Sequence, residues 1–311
     1  MRVLEIIVFI VLWGALAFGG YLFWTNLPGE PVPFTPYSSN YSGPQALDGF
    51  EASGNIIQFY PNMRFKESRI SYRLESACTQ SKFQNIERAF SILSDKTDIE
   101  FYSTREEPEI KVLCSEIEMR AEEKGHFIAG EGGPSEIINT TNFAVILNGK
   151  MSLYRDEKCD EPKIAIHEIL HVLGFDHYNN PKSILYPVTG CDQEIDDEIV
   201  ELINKLYSVP SYPDLIIDRV SAIKSGRYLS FDINITNAGL QDSIGSTLNV
   251  YSDDDKAANF DIGELEIGTK KVISVQNVRV PSSSTIIRFE VDSDDKNEIS
   301  LENNEAELKL A

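Results

Sequence analysis

His167-Glu168-Ile169-Leu170-His171-Val172-Leu173-Gly174-Phe175-Asp176-His177 is the stretch on which the reading of this sequence turns. Two histidines four residues apart on a helix project from the same face, so both imidazoles can reach one ion. Glu168 follows the first histidine and can lie beside a metal-bound water without binding the metal itself. Gly174 permits a sharp turn out of the helix, because glycine tolerates positive φ. That turn brings His177 toward the ion as a third ligand and leaves a fourth position open. Three nitrogen ligands with an open position are the pattern of catalytic Zn²⁺, which lowers the pKa of a bound water to about 7. The chain has four histidines and three of them fall in this stretch, which argues against histidines scattered over a surface.

Working outward, Pro162 opens the helix that carries the histidines. Upstream, residues 70–74 alternate as a strand, and residues 81–94 place Phe83, Ile86, Ala89, Phe90 and Leu93 at a helical period. Residues 99–102 and 109–114 read as two more strands, and 126–129 as a short one. Residues 143–147 form a buried-type strand followed by an Asn148-Gly149 turn. A last helix over 194–206 ends before Pro210 and Pro213. From there the character changes: seven strand-like segments (215–220, 229–235, 247–251, 262–267, 271–280, 285–291 and 306–310) are separated by Gly, Asn, Asp and Ser clusters. Such spacing suits an antiparallel sandwich of immunoglobulin-like size.

The stretch from His167 to His177 resembles the metzincin zinc signature, and its surroundings resemble the matrixin branch. Ser183-Ile184-Leu185-Tyr186-Pro187 occupies the place of that family's Met-turn, and the Asp196-Asp197 and Leu206-Tyr207 pattern is similar to its final helix. The resemblance covers 56–208 and is specific over 164–207. It implies an α+β peptidase domain with Zn²⁺ on His167, His171 and His177 and with Glu168 as general base. It also implies an extended peptide substrate beside an edge strand, for which 126–129 is the candidate. Leu185, Tyr186 and Pro187 are then expected to shape the substrate pocket. Leu185 stands where the family has methionine, a swap that usually costs less than about 1.5 kcal/mol. The sequence carries no cysteine-switch motif, and His126 stands alone, so a second, structural zinc is not expected.

Pro213-Asp214-Leu215, Ile233-Asn234-Ile235-Thr236-Asn237-Ala238-Gly239 and Glu302-Asn303-Asn304-Glu305-Ala306 are similar to the CARDB module, an immunoglobulin-like domain of exported proteins. This resemblance implies binding or spacing, with a cell-surface ligand as a conceivable partner, and no catalysis. Asp253-Asp254-Asp255 and the acidic residues at 292–295 invite a Ca²⁺ reading, but neither matches an EF-hand loop and solvated turns explain them better. Asn40, Asn139 and Asn234 each begin an Asn-x-Ser/Thr sequon.

At the other end, residues 6–24 carry no charge and end in Tyr21, Phe23 and Trp24. The run is close to the ~20 residues that cross a bilayer, with aromatics suited to its interface. Arg2 precedes the run and no Lys or Arg follows until Arg64, which places the N-terminus in the cytoplasm and the body outside. A cleaved signal peptide, cut near Ala15-Leu16-Ala17, is the competing reading and gives a secreted protein. Residues 26–55, rich in Pro, Ser, Gly and Asn, read as a spacer, with an ordered strap along the catalytic domain as the alternative. Cys78, Cys114, Cys159 and Cys191 form an even set in an exported protein without Cys-x-x-Cys spacing, so two disulfides are expected. Of the three pairings, Cys78–Cys114 and Cys159–Cys191 are preferred because each clips neighbouring elements around the catalytic core. A net charge of −21 disfavours nucleic acid and anionic membrane surfaces as partners, so no nucleic-acid partner is expected.

The expected chain is therefore multidomain. It has an anchor at 1–25, a linker at 26–55, a metzincin-like α+β zinc peptidase at 56–209 and an all-β immunoglobulin-like sandwich at 210–311. The expected function is a membrane-anchored extracytoplasmic zinc endopeptidase. A second class is an adhesion protein built on an inactive zinc domain, which loss of Glu168 or a ligand would signal. A third is a zinc hydrolase acting on a non-peptide bond, since the same water activation serves other carbonyls.

Overall fold

The computed structural model describes residues 2–40, 58–75, 78–115, 119–120, 127–295 and 297–310. The uncharged run forms helix α1 (Arg2–Thr25), whose described side chains are exposed almost throughout. Its segment 6–25 is long and apolar enough to span a bilayer. Two short strands, β1 (Pro31–Pro33) and β2 (Tyr37–Ser38), follow. The mixed α/β unit comprises β3 (Met63–Phe65), β4 (Arg69–Leu74), α2 (Gln80–Lys96), β5 (Glu100–Ser103), β6 (Ile110–Cys114), β7 (Met119–Arg120) and β8 (Phe127–Ile128). It continues with β9 (Gly130–Asn139), β10 (Ala144–Leu153), α3 (Lys163–Val172) and α4 (Asp197–Ser208).

The main sheet runs β5-β4-β6-β10, all parallel, and β9 closes it as an antiparallel edge on β10. β3 lies parallel to the first residues of β10. Helices α2 and α3 pack over this sheet around Phe65, Ile70, Ile86, Phe90, Leu93, Ile146 and Leu170. Thr79 caps α2 by accepting from Lys82 N at 3.3 Å. The face of α2 departs from the expected one at a single step. Phe83 is 43% exposed, whereas Lys82 is buried and its Nζ donates to Ser115 O and Tyr154 O at 3.0 and 3.2 Å. Two carbonyls satisfy the ammonium there, which an apolar periodicity does not register.

Two further expectations are corrected. Asn148-Gly149 is not a hairpin turn: β10 runs through it with a register shift, and a Cβ on Gly149 would meet Val172 Cγ1 at 2.4 Å. The glycine serves the close approach of helix α3 to the sheet. The segment 126–129 is not the edge strand. His126 lies outside the described residues, Phe127–Ile128 pairs with Met119–Arg120, and the edge is β9. The last helix begins at Asp197, three residues later than expected, with Asp196 as its N-cap.

Seven strands build the C-terminal sandwich: β11 (Leu215–Ser225), β12 (Tyr228–Asn237), β13 (Ser246–Ser252), β14 (Asp255–Asp261), β15 (Lys270–Arg279), β16 (Ile286–Ser293) and β17 (Glu305–Lys309). One sheet contains β11-β12-β15 and the other β14-β13-β16-β17, with Ile217, Val220, Phe231, Leu248, Phe289 and Val291 between them. The expected strand at 262–267 is instead a loop with three buried residues, Ile262, Leu265 and Ile267, and its strand is shifted to β14. Asp253 sits at φ 53° in the β13–β14 turn and its Oδ1 accepts from Thr285 N and Ile286 N, a turn-capping role.

The expected spacer is in part a strand of this sandwich. β1 and β2 pair antiparallel with β11, and Phe34 between them is 2% exposed within the sandwich core. Phe34 N donates to Ala222 O and Thr35 N to Lys309 O. The strap thus lies on the C-terminal sandwich rather than the mixed α/β unit, which is inserted between strap and sandwich. Residues 41–55 of the expected linker fall outside the described residues. The two units meet through Phe143, Val145, Val209, Leu240 and Ile267. Buried Asp214 ties them further, accepting from Asn142 Nδ2 at 2.9 Å and from Asn303 Nδ2 at 3.0 Å.

Because Phe34 fills the sandwich core, Phe34→Ala is expected to destabilise the protein by about 3 kcal/mol, the usual cost of emptying a buried aromatic site. Urea denaturation checks this; an unchanged midpoint would make the strap peripheral.

Candidate metal centre

Helix α3 is buried along its whole length, which orients both of its histidines firmly. It ends as the sequence suggests. Gly174 adopts φ 95°, Phe175 N donates back to Leu170 O at 3.1 Å, and Gly174 N donates to His171 O at 3.0 Å. This pairing satisfies the last carbonyls of the helix and reverses the chain. A Cβ at position 174 would meet Met63 Sδ at 2.6 Å, so packing as well as φ requires glycine.

The reversal brings His177 over the helix. One ligand atom from each of His167, His171 and His177 falls within 4.8 Å of the others, the one such triad among the described residues. The Nε2 atoms of His167 and His171 are 2.9 Å apart. Their other ring nitrogens are occupied: His167 Nδ1 lies 2.6 Å from Ile184 O and His171 Nδ1 lies 2.7 Å from Phe175 O. A carbonyl can only accept, so each Nδ1 carries the proton and each Nε2 presents its lone pair. Burial lowers His167 to about 4, with His171 adding to it, and burial also lowers His171. Both rings are neutral at neutral pH, the form that binds a cation. This donor set fits Zn²⁺, with His177, the exposed member, completing three nitrogens.

The carbonyl on His167 comes from the turn at Leu185. Ser183 Oγ accepts from Leu185 N at 3.1 Å and donates to Asp196 Oδ2 at 2.5 Å, and Tyr186 N donates to Ser183 O at 3.2 Å. Asp196 therefore fixes the turn to the start of α4. Leu185, at the centre of this turn, is fully buried. At the far end of α4, Arg64 Nη1 donates to Leu206 O and Val209 O while its guanidinium stacks 4.4 Å from the Tyr207 ring centroid.

Glu168 faces the edge strand. A Cβ on Gly130 would meet Glu168 Cγ at 2.7 Å, and one on Gly132 would meet Glu168 O at 2.1 Å. The glycines of β9 therefore let the sheet edge touch the helix at the carboxylate. Burial pushes Glu168 up to about 8, and the nearby Glu131 pushes in the same direction. Glu131 is held by Tyr154, whose hydroxyl donates to its Oε2 at 2.8 Å. A cation at the histidines would act oppositely and favour the Glu168 carboxylate.

These groups open into one cleft of about 800 Å³. The three histidines, Glu168 and Pro187 line it; Leu185, fully buried, and Tyr186, half-buried, do not, so of the three expected pocket residues only Pro187 reaches the cleft. The lining also includes residues the sequence reading missed: Phe59, Gly130–Gly132, Glu157, Val188 and Thr189. Phe59 is 40% exposed, stacks beside the His171 ring at 6.1 Å, and donates its N–H to Gly174 O. Only the glycine run carried a signal, since three glycines in four residues are unusual inside a strand. Cys78–Cys114 joins the entrance of α2 to β6, and Cys159–Cys191 crosses beside the cleft.

Residues 64–208 match the matrixin family and residues 212–308 match the CARDB family. Macrophage metalloelastase of Oryctolagus cuniculus is 25% identical over 138 residues, which are 40% of this chain and 29% of that protein. The chain thus spans less than a third of this curated relative's length. Among solved structures, the CARDB domain of a Pyrococcus furiosus protein in complex with di-metal ions is 16% identical. That likeness covers 32% of this chain and 88% of the other, with a TM-score of 0.26. High choriolytic enzyme 1, a hatching-enzyme zinc protease of Oryzias latipes (medaka), is 17% identical, covering 46% of this chain and 90% of that one, with a TM-score of 0.29. The chain carries a matrixin-like domain followed by a CARDB-like β-sandwich, with an apolar helix before them.

A ligand that binds only the folded state stabilises it by about 2.7 kcal/mol at a hundredfold excess over Kd. Chelation is therefore expected to lower the melting temperature by several degrees and added Zn²⁺ to restore it, with no such response in His171→Ala. Identical melting of chelated and zinc-loaded protein would count against the triad as a metal site.

Proposed function

We propose that this chain is a membrane-anchored zinc endopeptidase whose catalytic domain works outside the membrane. The observation that carries the reading is the convergence of three imidazoles, two with the tautomer already set, beside a buried carboxylate in an open cleft. His167, His171 and His177 would hold Zn²⁺, which when bound supplies a Lewis acid for the scissile carbonyl and lowers the pKa of water to about 7.

The chain's own residues do the rest. Glu168 takes the proton from the attacking water on its carboxylate and hands it to the leaving amine nitrogen, the two transfers a general acid–base residue makes. Its side chain lies against Gly130, so β9 brings substrate backbone and proton carrier together. An extended peptide adding to the free edge of β9 would gain main-chain hydrogen bonds there. Pro187 stands at the cleft wall.

Helix α1 serves as the anchor, with Arg2 on the cytoplasmic side. Five residues separate α1 from β1, and Asn26 O accepts from Tyr228 OH at 3.3 Å. The sandwich would therefore be the membrane-proximal part, carrying the peptidase beyond it.

Purified protein should hold one zinc per chain and cleave members of a diverse peptide library. Glu168→Gln should keep the zinc and lose at least about a hundredfold in kcat, the usual contribution of a positioned acid–base group. A zinc-loaded wild type that cuts no peptide would defeat the proposal.

A further inference from the structure

Two loops form one wall of the cleft, and each contributes a cysteine to it. Arg155, Asp156, Glu157, Lys158 and Cys159 come from the loop before α3; Pro187, Val188, Thr189 and Cys191 follow the Leu185 turn. The Cys159–Cys191 disulfide joins these loops across a separation of 32 residues, with 5.2 Å between their Cα atoms. We propose that this cross-link, seated on Glu157, is a specificity determinant: it closes the wall and thereby limits the size of the apolar side chain accepted beside the scissile bond. The inference rests on the endopeptidase reading.

Glu157 supplies the base of the wall. Its Oε1 accepts from Lys158 N at 2.9 Å and Cys159 N at 3.1 Å, while its Oε2 accepts from Ile164 N at 2.9 Å. Pro162, the N-cap residue of α3, makes no side-chain cap, so the Glu157 carboxylate supplies it from outside the helix. One carboxylate thereby fixes both the cysteine-bearing loop and the first turn of the helix that carries His167. Arg88 holds the same loop from behind, donating to Asp160 O at 2.6 Å. In the second loop, Gln193 is 2% exposed; its Nε2 donates to Val188 O at 2.8 Å and its Oε1 accepts from Gly190 N at 2.9 Å.

Each loop is thus held internally by hydrogen bonds, and between the two the disulfide is the covalent tie. Beside the charged side chains of the first loop, the lining is apolar at Ile164, Pro187, Val188 and the two cysteines, with Ile164 buried and Val188 49% exposed. A pocket with these walls accepts an apolar side chain, and its width follows the loop separation. None of the tying residues is among the three histidines or Glu168, so zinc binding and side-chain choice are separable.

The test compares the wild type with the Cys159→Ala/Cys191→Ala double variant, both zinc-loaded, on peptides that differ only in one apolar residue flanking the cut. The double variant should keep one zinc per chain. Its ratio of kcat/KM for a bulky aromatic over a small aliphatic residue should rise at least about tenfold, the scale on which fitting a few methylenes discriminates. A ratio unchanged within twofold, with zinc retained, overturns the inference while leaving the endopeptidase reading intact. If the double variant loses its zinc, Val188→Trp in the disulfide-bonded protein decides the matter. That substitution should shift preference toward smaller residues, and an unmoved profile overturns the inference. A wild type that cleaves nothing would instead sink the reading on which this one stands.

Discussion

Two backbone carbonyls decide what this molecule can bind. Ile184 O and Phe175 O each take the Nδ1 proton of a histidine, and in doing so they turn both Nε2 lone pairs toward a common point. Everything around them holds those carbonyls in place. Phe175 stays where it is because Gly174 reverses the helix with φ 95° and fits against Met63. Ile184 does so because Ser183, bonded to Asp196, draws the Leu185 turn onto α4. Leu185, in the same turn, is fully buried.

The mixed α/β unit is built on close approach between helix and sheet edge. Three glycines, at 130, 132 and 149, sit where a Cβ would enter helix α3. With side chains there, the helix would ride higher and Glu168 would leave the strand against which a peptide can lie. Burial around that carboxylate has a cost, visible in its raised pKa, which a cation at the histidines would offset. The second unit is completed by chain from the other side of the mixed α/β unit. Phe34 and the strands flanking it make the sandwich a two-segment domain, and the mixed α/β unit sits as an insertion within it.

What the sequence disclosed and what it hid follow from the range of the interactions involved. The convergence of the three histidines and the helix turn at Gly174 are set by neighbours within a few residues, and they were legible, whereas the start of α4 was placed three residues too early. The seven-strand character of the sandwich was legible too, because alternation is local. The edge strand β9 was not, since its glycines answer to helix α3 more than thirty residues later. The strap was missed because its Pro- and Ser-rich composition matches a spacer and its partner β11 lies far along the chain. Lys82 in place of Phe83 on the buried face of α2 depends on two carbonyls that no periodicity can show. Phe59 and Glu157 were hidden for the same reason: their roles exist only once α3 and its turn are in place.

The central claim is that His167, His171 and His177 together hold one zinc through nitrogen and leave a position open. Zinc K-edge X-ray absorption on the purified protein reads that directly. The account predicts three imidazole nitrogens at about 2.0–2.1 Å and a light-atom ligand in the remaining position. A sulfur shell near about 2.3 Å, or fewer than three imidazoles, would contradict it.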